Sequence, residues 1–222
     1  MRRTIVDEVD ARILPSLLCW GRAETMKHKF SDGASANYLL DESGVGNHFG
    51  SAGGNTPPLM VYDDCNGYAS VNFTGAMDIR GSMVHTSTVR GAFAIVKHNT
   101  AGNWKTAVGE GFITDLASGQ GMLAGAADTT NVRLGTGTDT AYVNGVQTIA
   151  ITNTDAWNLL YIEFTAAAKS YTATVLGRQG GTAAFLNGRL AEWGYFGGLP
   201  SAQVRTAFLA ALIAKYAITG NV

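Results

Sequence analysis

Thr140-Ala-Tyr-Val-Asn-Gly-Val-Gln-Thr-Ile149 sets two short runs of β-forming residues around Asn144-Gly145. An Asn-Gly pair tolerates the positive φ that both central positions of a type I′ turn require, so the stretch predicts a two-residue hairpin. Runs of the same kind recur on either side of it. Tyr68-Ala-Ser-Val-Asn-Phe73 alternates, with Ala69, Val71 and Phe73 on one face. Leu160, Ile162 and Phe164 alternate with Tyr161 and Glu163, and Tyr171, Ala173 and Val175 with Thr172, Thr174 and Leu176. Ala92-Phe-Ala-Ile-Val96 is apolar throughout, as in a strand buried on both faces. Leu190 to Phe196 is a further candidate. Glycine-rich clusters at 44–54, 109–111, 135–137 and 180–181 separate these runs, and the 28 glycines against 4 prolines favour many turns over long helices. Short strands with turn signals between them predict an all-β sandwich or barrel.

One helix stands out near the C-terminus. Ser201 is a good N-cap, Val204, Phe208, Leu212 and Tyr216 fall at helical spacing with Leu209 and Ile213 beside them, and Gly220 is a stop. Spanning 201–217, it carries its apolar stripe on one face and is expected to lie against the sandwich. At the other end, Ile5, Val6, Val9, Ile13 and Leu14 are spaced like a short amphipathic helix ended by Pro15. Residues 1–16 are therefore read as an arm or docking segment, with residues 17–222 as one domain. The arm can cover its own domain or another subunit. The second is favoured, with Ile5, Val9 and Ile13 as the docking residues, because symmetric oligomers are common.

Composition removes several function classes. The 222 residues are 46% hydrophobic and only 15% charged, too apolar for a disordered chain. The net charge is −1 and no Lys/Arg run builds a basic face, which argues against nucleic acid and a polybasic membrane surface. No apolar run reaches the roughly 18–20 residues that span a bilayer. Asp7, Glu8, Asp10 and Arg12 interrupt the apolar core a signal peptide needs, so none is expected. Cys19 and Cys65 are expected as two reduced, buried thiols, a disulfide being compatible but not required.

Several stretches together resemble the laminin-G-like, concanavalin-A-like jelly roll. Leu18-Cys-Trp20 is like its early strand, and Asp41-Glu-Ser43-Gly44-Val-Gly46-Asn47 is like its D-x-SG-x-GN turn. Gly67 to Gly75, Tyr142-Val-Asn144-Gly145, Phe185 to Tyr195 and Leu199 to Tyr216 follow its later strands, hairpin and closing helix. The resemblance covers about residues 17–217 and implies an antiparallel β-sandwich with one C-terminal amphipathic helix. It says little of activity, because one fold hosts many functions.

Candidate chemistry is sparse. Glycoside hydrolysis needs two carboxylates flanking the scissile bond. Glu8-Val-Asp10 is the nearest match to the E-x-D-x-x-E strand of this fold's hydrolases, and it precedes the domain. Glu110, Asp115, Glu163 and Glu192 stand isolated; Glu163 reads as solvent-facing and Glu192 as an anchor of its strand. His28, His48, His85 and His98 lack metal-ligand spacing and read as surface or loop residues. Gly119-Gln-Gly121-Met-Leu-Ala124 has a dinucleotide-like pattern in β surroundings and reads as a turn. Domains resembling this one often hold calcium at the rim. Asp41, Asp63 and Asp64 in expected loops are the weak candidates, together with Asp128, against the simpler reading of turn capping by Asp. Sugar binding would use an exposed aromatic platform. Trp104 and Trp157 are the candidates, with Asn144 as an amide contact, against the simpler reading of each Trp as core.

The resemblance implies a non-enzymatic phage virion structural protein first, decorating the capsid or head or associated with the tail, and holding a host glycan in some members. Such a protein is made in the host cytoplasm, ends in the virion, pairs with other virion proteins and itself as a symmetric homo-oligomer, and requires no cofactor. The alternatives are a carbohydrate-binding, lectin-like adhesin module and a glycan hydrolase or lyase.

Overall fold

The apolar run at residues 92–96 lies at the centre of a sheet that is covered on both faces. The computed structural model describes residues 10–50, 56–74, 77–81, 85–99, 110–115, 121–124, 131–133, 139–152, 156–171, 174–178 and 185–219. In chain order its strands begin with β1 (Leu17–Arg22), β2 (Tyr38–Leu39), β3 (Phe49–Gly50), β4 (Leu59–Cys65), β5 (Tyr68–Thr74) and β6 (Ile79–Gly81). They continue with β7 (His85–Val89), β8 (Gly91–His98), β9 (Glu110–Asp115), β10 (Gly121–Ala124), β11 (Val132–Arg133) and β12 (Thr140–Val143). The last are β13 (Val146–Gln147), β14 (Asn158–Glu163), β15 (Lys169–Tyr171), β16 (Thr174–Leu176) and β17 (Asn187–Phe196), followed by α1 (Ala202–Tyr216).

The larger sheet runs β13-β12-β14-β8-β17-β5-β4, with β1 also paired to β17. The second runs β11-β10-β9-β16-β6-β3-β2, and β15 pairs β7 separately. The ladders are antiparallel, so the chain is an antiparallel β-sandwich closed by one helix. Alternation sorts the larger sheet's side chains. Ala92, Ala94, Val96, Leu160 and Ile162 enter the core between the sheets, while Phe93, Ile95, Leu159 and Tyr161 enter a second core beneath α1. A helix covers the outer face, which is why β8 needs no polar side. On α1, Phe208 and Leu212 are fully buried against this sheet, and each such side chain contributes about 1.5–3 kcal/mol.

A bulge in β17 sets which residues face the helix. Leu190 lies opposite Val96 and Glu192 opposite Ile95, so Ala191 is the extra residue. The shift places Ala191 and Glu192 both toward α1 and returns Trp193 to the inter-sheet core.

Several sequence expectations are corrected. Tyr171 and Thr174 do not share one strand: β15 belongs to the small sheet and β16 to the second large one. Gly121–Ala124 is a strand rather than a turn. Asp63 and Asp64 lie within β4, not a loop. His98 is buried at the end of β8. α1 stops at Tyr216, with Ala217 in the left-handed region (φ +48°), while Gly220 lies outside the described residues. Residues 10–16 pack on their own domain. Asp10 caps a short 3-10 turn at Ala11–Ile13, Ala11 and Leu14 are buried in the core beneath α1, and the Gly197 N–H donates to the Ser16 carbonyl at 2.8 Å. Ile13 is 49% exposed, and Ile5 and Val9 lie outside the described residues. Cys19 and Cys65 are free and buried, on opposite faces of the larger sheet.

Candidate functional site: a cleft at the end of the closing helix

Two Asn-Gly turns hold the last turns of α1. Asn144 and Gly145 have φ of +53° and +84°, as a type I′ turn requires, and a Cβ on Gly145 would lie 2.9 Å from the Ile213 side chain. Asn66 and Gly67, with φ of +49° and +79°, turn β4 into β5, and the Asn66 side chain donates to the Lys215 carbonyl at 2.9 Å. The second turn carries the same dipeptide signal as the first, and the sequence reading did not single it out.

Beneath the helix the larger sheet presents two buried carboxylates. Glu192 is fully buried and accepts from Trp20 Nε1, Lys215 Nζ and the Tyr216 hydroxyl, each at 2.7 Å. Glu163 corrects the expectation of a solvent-facing residue. It is 4% exposed and accepts from the Tyr161 hydroxyl at 2.9 Å and from Arg205 at 3.0 Å. Burial pushes the Tyr161 and Tyr216 phenols well above their ordinary range, and the neighbouring carboxylate adds to it in each case. Both carboxylates are buried and accept from donors on α1, so they pin the helix to the sheet.

The open ground lies just past the helix. A cleft of about 320 Å3 is lined by Trp157, Lys97, Tyr216, Asn66, Ile218 and Thr219, among others. Its Lys97 and Trp157 come from the end of the larger sheet, whose neighbouring strands continue the row beyond the cleft. Arg189 is opposite Lys97 on one side and opposite Asn72 on the other, and Asn158 opposite Val96 brings Trp157 level with Lys97. Trp157, Lys97, Arg189 and Asn72 therefore form a row across adjacent strands, about 14 Å long at the usual strand spacing. Arg189 donates to Asp64 at 2.6 Å and to Asn99 at 3.1 Å, and Asn99 donates to Asn72 at 2.8 Å. Lys97 is paired with no carboxylate among the described residues. An aromatic ring, an ammonium, amides and a hydroxyl around one groove can stack on a sugar face and bond its hydroxyls.

The remaining candidates are placed as follows. Trp157 lines the cleft and is partly exposed. Trp104 lies outside the described residues. Asn144 is only 4% exposed: its side chain accepts from the Leu159 N–H at 2.8 Å and donates to Asn158 at 2.9 Å, so it ties the hairpin to β14 and is no ligand contact. The calcium candidates do not come together. Asp41 accepts from the N–H groups of Trp20, Ser43 and Asn47 and from the Ser43 hydroxyl, which fills its four lone-pair positions. Asp63 pairs with Lys27 at 3.2 Å and Asp64 with Arg189. No group of three or more His, Cys, Asp or Glu side chains converges among the described residues, and these carboxylates do not fit a calcium ion. Asp128 lies outside the described residues. No helix among the described residues is long and apolar enough to cross a membrane.

The chain matches no family model and no curated protein. Among solved structures it is similar to domain 4 of AbnA, a GH43 extracellular arabinanase from Geobacillus stearothermophilus, in complex with arabinotriose. The identity is 16%, the match covers 88% of this chain and 99% of that one, and the TM-score is 0.51. It is also similar to a Glu-to-Gln mutant of a GH54 α-L-arabinofuranosidase soaked with 4-nitrophenyl α-L-arabinofuranoside. There the identity is 12%, the coverage 94% of this chain and 61% of that one, and the TM-score 0.55. At these identities the likeness is one of fold, a jelly-roll-like β-sandwich.

Proposed function

We propose that this protein is a non-catalytic carbohydrate-binding β-sandwich that takes a glycan in the cleft at the end of α1. The observation that carries the reading is the match over 99% of a domain solved with arabinotriose. The cleft supports it, since Trp157 offers a ring and Lys97, Asn66 and Thr219 offer polar contacts in one groove. The absence of turnover is part of the proposal. Glycoside hydrolysis needs two carboxylates at the scissile bond, whereas Glu163 and Glu192 are held under the helix by Arg205 and Lys215. Glycan-array binding together with a reducing-end assay tests it: binding without released ends is expected, and release of ends would overturn the non-catalytic reading.

This order differs from the expectation that put a virion structural role first, because both similar structures are of sugar-acting enzymes. The virion setting is the second reading. It needs a protein partner, and the 49% exposed Ile13, between the buried Ala11 and Leu14, is an apolar side chain that would meet one. Stoichiometric recovery of the protein in purified particles supports that reading, and absence from them rejects it.

A further inference from the structure

The row that begins at Trp157 and Lys97 in the cleft carries an electrostatic imbalance. Lys97 and Arg189 stand directly opposite each other on β8 and β17, and like charges in that position repel. Arg189 has Asp64 as its counter-ion at 2.6 Å, and its Nε is held by Asn99. Asp64 in turn accepts from the Ser70 hydroxyl, so both of its oxygens are engaged. Lys97 has no such partner among the described residues, yet it is only partly exposed and lines the groove beside Trp157 and Tyr216. Two cations against one carboxylate leave this strip one positive charge in excess. A solvated lysine on an open surface would need no explanation, but a lysine in a groove next to another cation loses hydration and gains repulsion.

We propose that the groove selects an anionic glycan, with the Lys97 ammonium taking one carboxylate or sulfate ester of the chain while the Trp157 ring stacks on a sugar face. The inference rests on the carbohydrate-binding reading and narrows its ligand class. The anion completes the row as a second counter-ion: Arg189 keeps Asp64, and Lys97 gains a charge-assisted hydrogen bond. Asn66 and Thr219 line the same groove. The two sources of the anion are a uronic acid residue and a sulfated sugar.

Calorimetric titration of the intact protein with an oligogalacturonate, a sulfated galactan oligosaccharide and a neutral arabino-oligosaccharide tests this, with inorganic polyphosphate as the control for charge alone. The expected result is tighter binding of at least one acidic oligosaccharide than of the neutral one, weakening as salt rises. Lys97→Gln is expected to weaken that binding about tenfold more than it weakens binding of the neutral ligand, which loses one polar contact but no ion pair. Without ligand, Lys97→Gln is expected to melt no lower than the parent, because it removes a repulsion and no pair. Equal affinity for neutral and acidic chains, or a Lys97→Gln loss that is the same for both, overturns the anionic selection and leaves the sugar reading standing. Polyphosphate bound as tightly as the acidic glycans also overturns it, as charge without sugar recognition. Failure of every oligosaccharide to bind overturns both readings.

Discussion

The two faces of the larger sheet are packed by different means. The inner face meets the second sheet through side chains such as Val71, Phe73, Val96, Leu160, Ile162 and Trp193, a core that excludes water by bulk. The outer face meets α1 through Phe93, Tyr161, Phe208 and Leu212, and also through Glu163–Arg205 and Glu192–Lys215. The difference follows from geometry. A sheet laid on a sheet is held in register by its own ladders, whereas a single helix on a flat apolar face is free to slide and rotate. Two directional clamps near opposite ends of α1 remove that freedom. Buried ion pairs are costly to form and costly to break singly, so they specify position more than they add stability.

The largest expected effect tests that assignment. Glu192→Ala strands the Lys215 ammonium and leaves Trp20 Nε1 and the Tyr216 hydroxyl without their acceptor. It should cost about 3–5 kcal/mol in urea unfolding. The double change Glu192→Leu with Lys215→Met should recover most of that loss, since well-packed apolar groups replace such pairs at little cost. A single-variant loss below about 1 kcal/mol would mean that the pair is hydrated and not a clamp.

Alkaline pH compares the same two faces through their phenols. Burial raises Tyr161 and Tyr216 on the helix face and Tyr195 on the inner face. Unfolded tyrosines ionise near pH 10, so the folded chain retains protons that the unfolded chain has lost. The stabilisation is complete below about pH 10 and is lost as the pH climbs from there toward the raised native values, by about 1.4 kcal/mol per pH unit for each phenol. Urea midpoints followed from pH 8 upward, with phenolate absorbance alongside, should show these three ionising only as the chain unfolds. Ionisation in the folded chain would place water against them.

A smaller effect is expected at the hairpin that touches the helix. Gly145→Val forces a β-branched residue into φ +84° and drives its Cβ toward Ile213, at a cost of about 1–2 kcal/mol. A parent-like melting temperature would show that the turn relaxes away from α1. The smallest effect on the fold belongs to the cleft. Trp157→Ala removes a ring that packs partly against the core beneath α1 and should cost about 1 kcal/mol, while weakening glycan binding about tenfold. A large loss of stability with unchanged binding would return Trp157 to the core.

Where a few consecutive residues carry the information, the sequence was sufficient. Period-two alternation placed Ala69, Val71 and Phe73 on one face, the unbroken run at 92–96 announced a strand covered twice, and Asn144-Gly145 named its turn. Helical spacing put Phe208 and Leu212 in the core. Each of these rests on local backbone geometry, which a short window encodes. The tertiary structure alone decided what covers each face. Glu163 alternates with apolar residues and so reads as exposed, until Arg205, 42 residues later, closes over it from the helix. Glu192 faces α1 only because the chain inserts Ala191 as a bulge, and periodicity carries no sign of that extra residue. The cleft is less local still, since Asn66, Lys97, Trp157 and Tyr216 come from four separate parts of the chain. Their convergence depends on strand order across the sheet and on where the helix stops, and both are set by packing free energy summed over the whole domain.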